Sequence, residues 1–229
     1  MLKRIAIAAI AAFGIAGGAQ AQPAPVFNWS GFYIGGSVGY ISAPTEWSYY
    51  NLPGQNIFSR PSQAIGAGHI GFLLQNNRFI YGLEGTVQAP LLTQRQCDAP
   101  VFCPNYDSYT QIKSAFTLGP RFGYSYGRWM PYVTGGLAMA EIATGFYAKG
   151  FPDVAAKHDK THFGWFAGLG VEYMLMDNLL VGFEYQHMEL AEELQKTTGV
   201  PATGVSHYVS AHSDTVRIRL TWKPRIPIQ

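Results

Sequence analysis

Between Phe163 and Leu175 the chain alternates with a period of two. Phe163, Trp165, Ala167, Leu169, Val171, Tyr173 and Leu175 fall on one face, and Gly164, Phe166, Gly168, Gly170, Glu172 and Met174 on the other. Successive side chains of a strand point to opposite sides, so the segment reads as a strand with one apolar face and one crowded, partly polar face. Near the other end of the chain Val216, Ile218, Leu220 and Trp222 alternate with Arg217, Arg219 and Thr221. If that strand crosses a membrane its register is nearly forced, because an arginine on the lipid face near the midplane costs about 2 to 4 kcal/mol.

The same rule predicts strands near 31 to 41, 64 to 74, 79 to 89, 112 to 125, 129 to 142, 162 to 175, 179 to 189 and 214 to 223. In the second of these, Gly and Ala blur the alternation and His69 fits either face. The connections alternate in length. Gln75-Asn76-Asn77-Arg78, Tyr126-Gly127-Arg128 and Met176-Asp177-Asn178 have the Gly, Asn and Asp content of tight hairpin turns. Long polar connections fall at 42 to 63, 90 to 111, 143 to 161 and 190 to 213. Short turns on one rim and long loops on the other predict an all-β, eight-stranded, antiparallel, up-and-down transmembrane barrel, with three periplasmic turns, four outer loops and both termini periplasmic. Trp29, Tyr40, Tyr124, Tyr126, Trp129, Tyr173 and Trp222 lie near predicted strand ends, where amphipathic rings suit the two membrane interfaces.

Composition strengthens the membrane expectation. Charged residues make up 13% of the chain, about half the usual share, against 14% aromatic residues and 26 glycines. A soluble sandwich would also alternate and bury aromatics, but its outer face would be well charged. Residues 1–21 have the form of a cleaved signal peptide: Lys3 and Arg4, an apolar run from Ile5 to Ile15, and Ala19-Gln20-Ala21 before the expected cut. The barrel domain is then expected over 22–229. Without Lys3 and Arg4, the 16 basic residues fall to 14 and equal the 14 acidic ones, which gives no reason to expect a nucleic-acid partner.

Candidate chemistry is sparse. Glu84, Arg121, Glu172, Glu184, Arg217 and Arg219 all fall on expected lumen faces. They predict either an interior ion-pair network that fills the barrel or a narrow charged conduction path; eight strands leave little room for water, which favours the network. Cys97 and Cys103 bracket a short loop, and a disulfide is the expected state in an oxidising compartment; a zinc site would need further ligands. His207, His212 and Asp214, with His158 and His162, could ligate a metal or haem at the outer surface, but their spacing matches no compact motif. No cofactor is expected.

Asn28-Trp29-Ser30-Gly31-Phe32-Tyr33-Ile34-Gly35-Gly36-Ser37-Val38-Gly39-Tyr40 strongly resembles the opening strand of the small outer-membrane immunogenic protein family of alphaproteobacteria. Phe79-Ile80-Tyr81-Gly82-Leu83-Glu84-Gly85, Pro131-Tyr132-Val133-Thr134-Gly135-Gly136-Leu137-Ala138 and Gly164-Trp165-Phe166-Ala167-Gly168-Leu169-Gly170-Val171-Glu172-Tyr173 are similar to its third, fifth and sixth strands. The resemblance implies an outer-membrane barrel with a structural and surface-interaction role, some members being described as porin-like or haem-binding, and carries no shared catalytic residues. Outer-membrane lipid and lipopolysaccharide, the barrel assembly machinery and a host or envelope partner of the long loops are the partners expected. One departure stands out. Pro224 occupies about the place of the family's terminal aromatic and should end the last strand, leaving Trp222 as a substitute. His187 near a strand end resembles the catalytic histidine of lipid A deacylases, but Glu189 stands where their serine nucleophile would be.

Overall fold

A computed structural model describes residues 27–49, 56–59, 62–90, 106–148, 151–196 and 206–224. They form strands β1 (Gly31–Ser42), β2 (Thr45–Tyr49), β3 (Asn56–Ser59), β4 (Ser62–Asn76), β5 (Phe79–Pro90), β6 (Tyr106–Tyr124), β7 (Trp129–Ala148), β8 (Phe151–Met176), β9 (Leu179–Lys196) and β10 (Ser206–Trp222). Eight of them, β1 and β4 to β10, pair antiparallel in chain order, and β1 pairs back onto β10 from Ile34↔Trp222 to Ser42↔Asp214, so the barrel closes. Pro224 does end the last strand, but only after this seam is complete.

Three tight turns join the strands at one end. Asn77-Arg78 is a two-residue turn with Asn77 at φ 56°, a left-handed conformation that asparagine tolerates better than most residues. At Tyr126-Gly127-Arg128-Trp129 the outer pair exchange backbone bonds of 2.8 and 3.1 Å around Gly127 at φ 64°. Asp177-Asn178 makes the third turn.

The opposite end differs from the sequence expectation. The segments expected as long loops carry much strand. β6 and β7 stay paired to Tyr106↔Ala148, β7 and β8 to Ala148↔Phe151, and β9 and β10 to Ser206↔Lys196. β2 and β3 form a hairpin on the far end of β10. Tyr106, Tyr109 and Thr110 favour strand, but Tyr106-Asp107-Ser108-Tyr109-Thr110 has no apolar face, so a rule that seeks one stops too early.

The alternation itself is as the sequence predicts. Arg219 is 0% exposed while its neighbour Leu220 is 54% exposed, so cations point in and leucines out. A belt that includes Val38, Ile70, Leu83, Val133, Leu169 and Ile218 encircles the outer wall. Water would not tolerate so large a continuous apolar surface, whereas hydrocarbon favours it.

Candidate functional site

The lumen is packed in three layers. At the short-turn end Trp29, Leu73, Ile80, Met130, Met174 and Leu180 form a buried apolar floor. The segment before β1 supplies its centre: Trp29 is fully buried, its backbone N–H donates to Gln75 Oε1 at 2.8 Å and its indole N–H to Ser125 Oγ at 3.1 Å. Lys223 Nζ donates to the Asn28 carbonyl at 2.5 Å, and the Arg128 guanidinium lies 5.4 Å over the Phe27 ring. Residues 27–30 thus lie beneath the barrel as a strap. Burial pushes the Lys223 ammonium, just past the end of β10, down to about 8.

Above the floor lies a charged layer. Glu84 of β5 receives Arg219 through Nη1 at 2.9 Å and Nη2 at 2.5 Å, and Arg121 at 3.0 Å. Glu172 of β8 sits 2.9 Å from Arg121 and 3.4 Å from Arg219. Glu184 of β9 receives Arg219 at 2.7 Å and lies 2.9 Å from Arg217. All six residues that the alternation assigned to the lumen are therefore joined, three acids to three guanidinium groups, with no net charge. The Arg121–Glu172 and Arg217–Glu184 contacts lack directed N–H geometry, so their gain is charge attraction and not a hydrogen bond. Burying such a set is costly in desolvation, yet removing one member leaves an uncompensated charge worth about 3 to 5 kcal/mol.

Two tyrosines that sequence reasoning passed over complete this layer. Tyr33 Oη donates to Glu84 at 2.7 Å and Tyr132 Oη to Glu184 at 2.6 Å, while the Arg121 guanidinium lies 3.5 Å from the centre of the Tyr132 ring. Both rings need a glycine opposite. A Cβ added at Gly71 would strike the Tyr33 ring, and one at Gly170 the Tyr132 ring. A tyrosine facing a glycine across two strands on a lumen face is the signal that could have found them. His69, left on either face by the sequence, points inward and shares a 2.8 Å bond with Thr221.

Towards the far end Ile41, Ile65, Ala115, Ala138, Phe166, Met188 and Leu190 belong to a second apolar layer. Between it and the charges lie buried Thr86, Gln88, Thr117, Gln186 and Thr215.

Several expectations change here. Trp29 is not an interface aromatic but the centre of the floor, because it precedes the alternating part of β1. Tyr40, Tyr124, Tyr126, Trp129 and Trp222 do face outward. Of the histidine cluster, His162 is buried in the lumen whereas His212 and Asp214 face outward, so these three do not share one site. Among the described residues no set of three or more His, Cys, Asp or Glu is arranged to hold a metal. The side chains of His158 and His207, the Cys97/Cys103 pair and the cut after Ala21 lie outside the described residues. His187 lies on the outer wall, its Nδ1 2.9 Å from Asp214 Oδ1, a contact the sequence did not suggest.

A family model for the outer membrane protein beta-barrel domain matches residues 6–207. The 31 kDa outer-membrane immunogenic protein of Brucella melitensis is 27% identical over 215 residues, covering 89% of this chain and 87% of that protein. The 22 kDa outer membrane protein of Rhizobium leguminosarum is 23% identical over 176 residues, covering 74% of this chain and 68% of its own length. Among solved structures, the outer membrane protease OmpT from Escherichia coli shares the fold with a TM-score of 0.50 at 11% identity, covering 84% of this chain and 96% of that one.

Proposed function

Because the chain belongs to the outer membrane protein beta-barrel domain family, and is an outer-membrane β-barrel, we propose that it serves as a sealed anchor. Its strands hold it in lipid and its long far-end connections meet partners outside the cell. In this reading the leader is removed after Ala21, the tight turns and both termini are periplasmic, and the far end is extracellular.

The single observation that carries the proposal is the neutral Glu84–Arg121–Glu172–Arg219–Glu184–Arg217 layer held between two apolar layers. A hydrated path needs polar walls and continuous width; here apolar layers on either side of the charges interrupt the first, and ion-paired side chains across an eight-stranded lumen remove the second. Liposomes that hold the folded protein should therefore swell in a small sugar no faster than empty ones. Faster swelling would favour the passive-channel alternative.

Catalysis finds little support. The His187–Asp214 contact has the form of an acid–base pair, but Glu189 offers no hydroxyl. Ser42 is the register partner of Asp214 and so lies two strand spacings, roughly 9.5 Å, from His187. Lipid A from cells with and without the protein should give the same mass spectrum; a deacylated species would establish an enzyme.

A further inference from the structure

One ordered polar cluster lies outside the lumen. On β9 and β10 the outward face is apolar up to Phe183 and Val216. Immediately beyond come Tyr185, His187 and Glu189 of β9, His212 and Asp214 of β10, and Trp165 of β8. The register sets Asp214 opposite His187, and Glu189 opposite both His212 and Trp165. Tyr185 Oη donates to Asp214 Oδ1 at 2.6 Å, and the same oxygen meets His187 Nδ1 at 2.9 Å. The His187 ring lies 5.8 Å from the Trp165 ring and 6.2 Å from that of His212. Trp165, Glu189 and His212 remain exposed.

Carboxylates facing hydrocarbon are costly, so this patch marks the level where acyl chains give way to headgroups. We propose that it binds the saccharide headgroup of an outer-leaflet glycolipid, an inference that rests on the membrane orientation given above. Asp214 and Glu189 can accept from sugar hydroxyls, His187 Nε2 can exchange a further bond, and the Trp165 face suits the C–H side of a sugar ring. A phosphate would meet two carboxylates, so the hydroxyl-rich part of the headgroup is the portion recognised. The patch runs directly into the apolar belt at Phe183 and Val216, which favours a lipid-borne saccharide over a free one.

The test is native mass spectrometry of the full folded barrel in amine-oxide micelles, with rough lipopolysaccharide, free core oligosaccharide or phosphatidylglycerol as probe. Wild type should bind rough lipopolysaccharide roughly ten-fold more tightly than the Trp165→Ala/Asp214→Asn double variant, the loss expected for hydrogen bonds to a charged group. Asp214→Asn alone should lose part of this, and phosphatidylglycerol should bind all three proteins equally. Equal lipopolysaccharide binding by wild type and double variant would overturn the proposal. So would a matching loss of phosphatidylglycerol, or free oligosaccharide bound as tightly as the glycolipid. Folding of each protein is read from the mobility difference between unboiled and boiled samples; if wild type shows none, the barrel reading itself fails together with this proposal.

Discussion

The two ends of the barrel are built on different principles. At the short-turn end every connection is tight, and the segment before β1 packs so that Trp29 fills the floor and Lys223 ties down Asn28. At the far end the strands run on past the apolar belt, β2 and β3 add a hairpin, and the ion pair between Lys113 and Glu141 is half exposed at 3.3 Å. One end uses buried, mutually dependent contacts; the other uses backbone pairing that tolerates varied side chains. That division fits the proposed anchor, with a packed base at one end and backbone-paired extensions at the other.

The sharpest way to break the comparison is in the charged layer. Arg219 touches all three glutamates, so Arg219→Met should destabilise the barrel by about 3 to 5 kcal/mol in urea unfolding from micelles, because three buried carboxylates lose their shared cation. Replacing Glu84 by Gln in the same chain should recover part of that loss. Trp29→Ala comes next, at about 3 kcal/mol, from the cavity and the lost indole bond to Ser125. Gly170→Ala should cost about 1 to 3 kcal/mol, since its Cβ meets the Tyr132 ring. Lys113→Ala at the far end should change stability by no more than about 1 kcal/mol, as half-exposed pairs do. Were Lys113→Ala to cost as much as Arg219→Met, the contrast between the ends would disappear.

Much of this was legible in the sequence, and the reasons for the rest are physical. Arg217 and Arg219 between apolar neighbours set the inside and outside of β10, and the Gly, Asn and Asp turns set the connections. The same alternation picked out the six lumen charges, though not which would pair, because pairing depends on register between strands far apart in the chain. Arg219 and Glu84 are separated by 135 residues. Trp29 was misplaced because it stands before the alternating segment, where no face is defined. The far-end strand extensions were missed because neither face there needs to be apolar. The Tyr185–Asp214–His187 cluster was illegible for a related reason: the apolar rule describes the belt and is silent where the belt stops.

The claim that the barrel is sealed is tested most directly by single-channel recording of the purified, folded protein in a planar bilayer. The packed lumen predicts silent membranes for wild type, and openings only when the floor and charged layer are both disrupted, as in Trp29→Ala/Arg219→Ala. Regular conductance steps from wild type, altered in size or selectivity by Arg219→Ala alone, would contradict the seal and make the charged layer a conduction path.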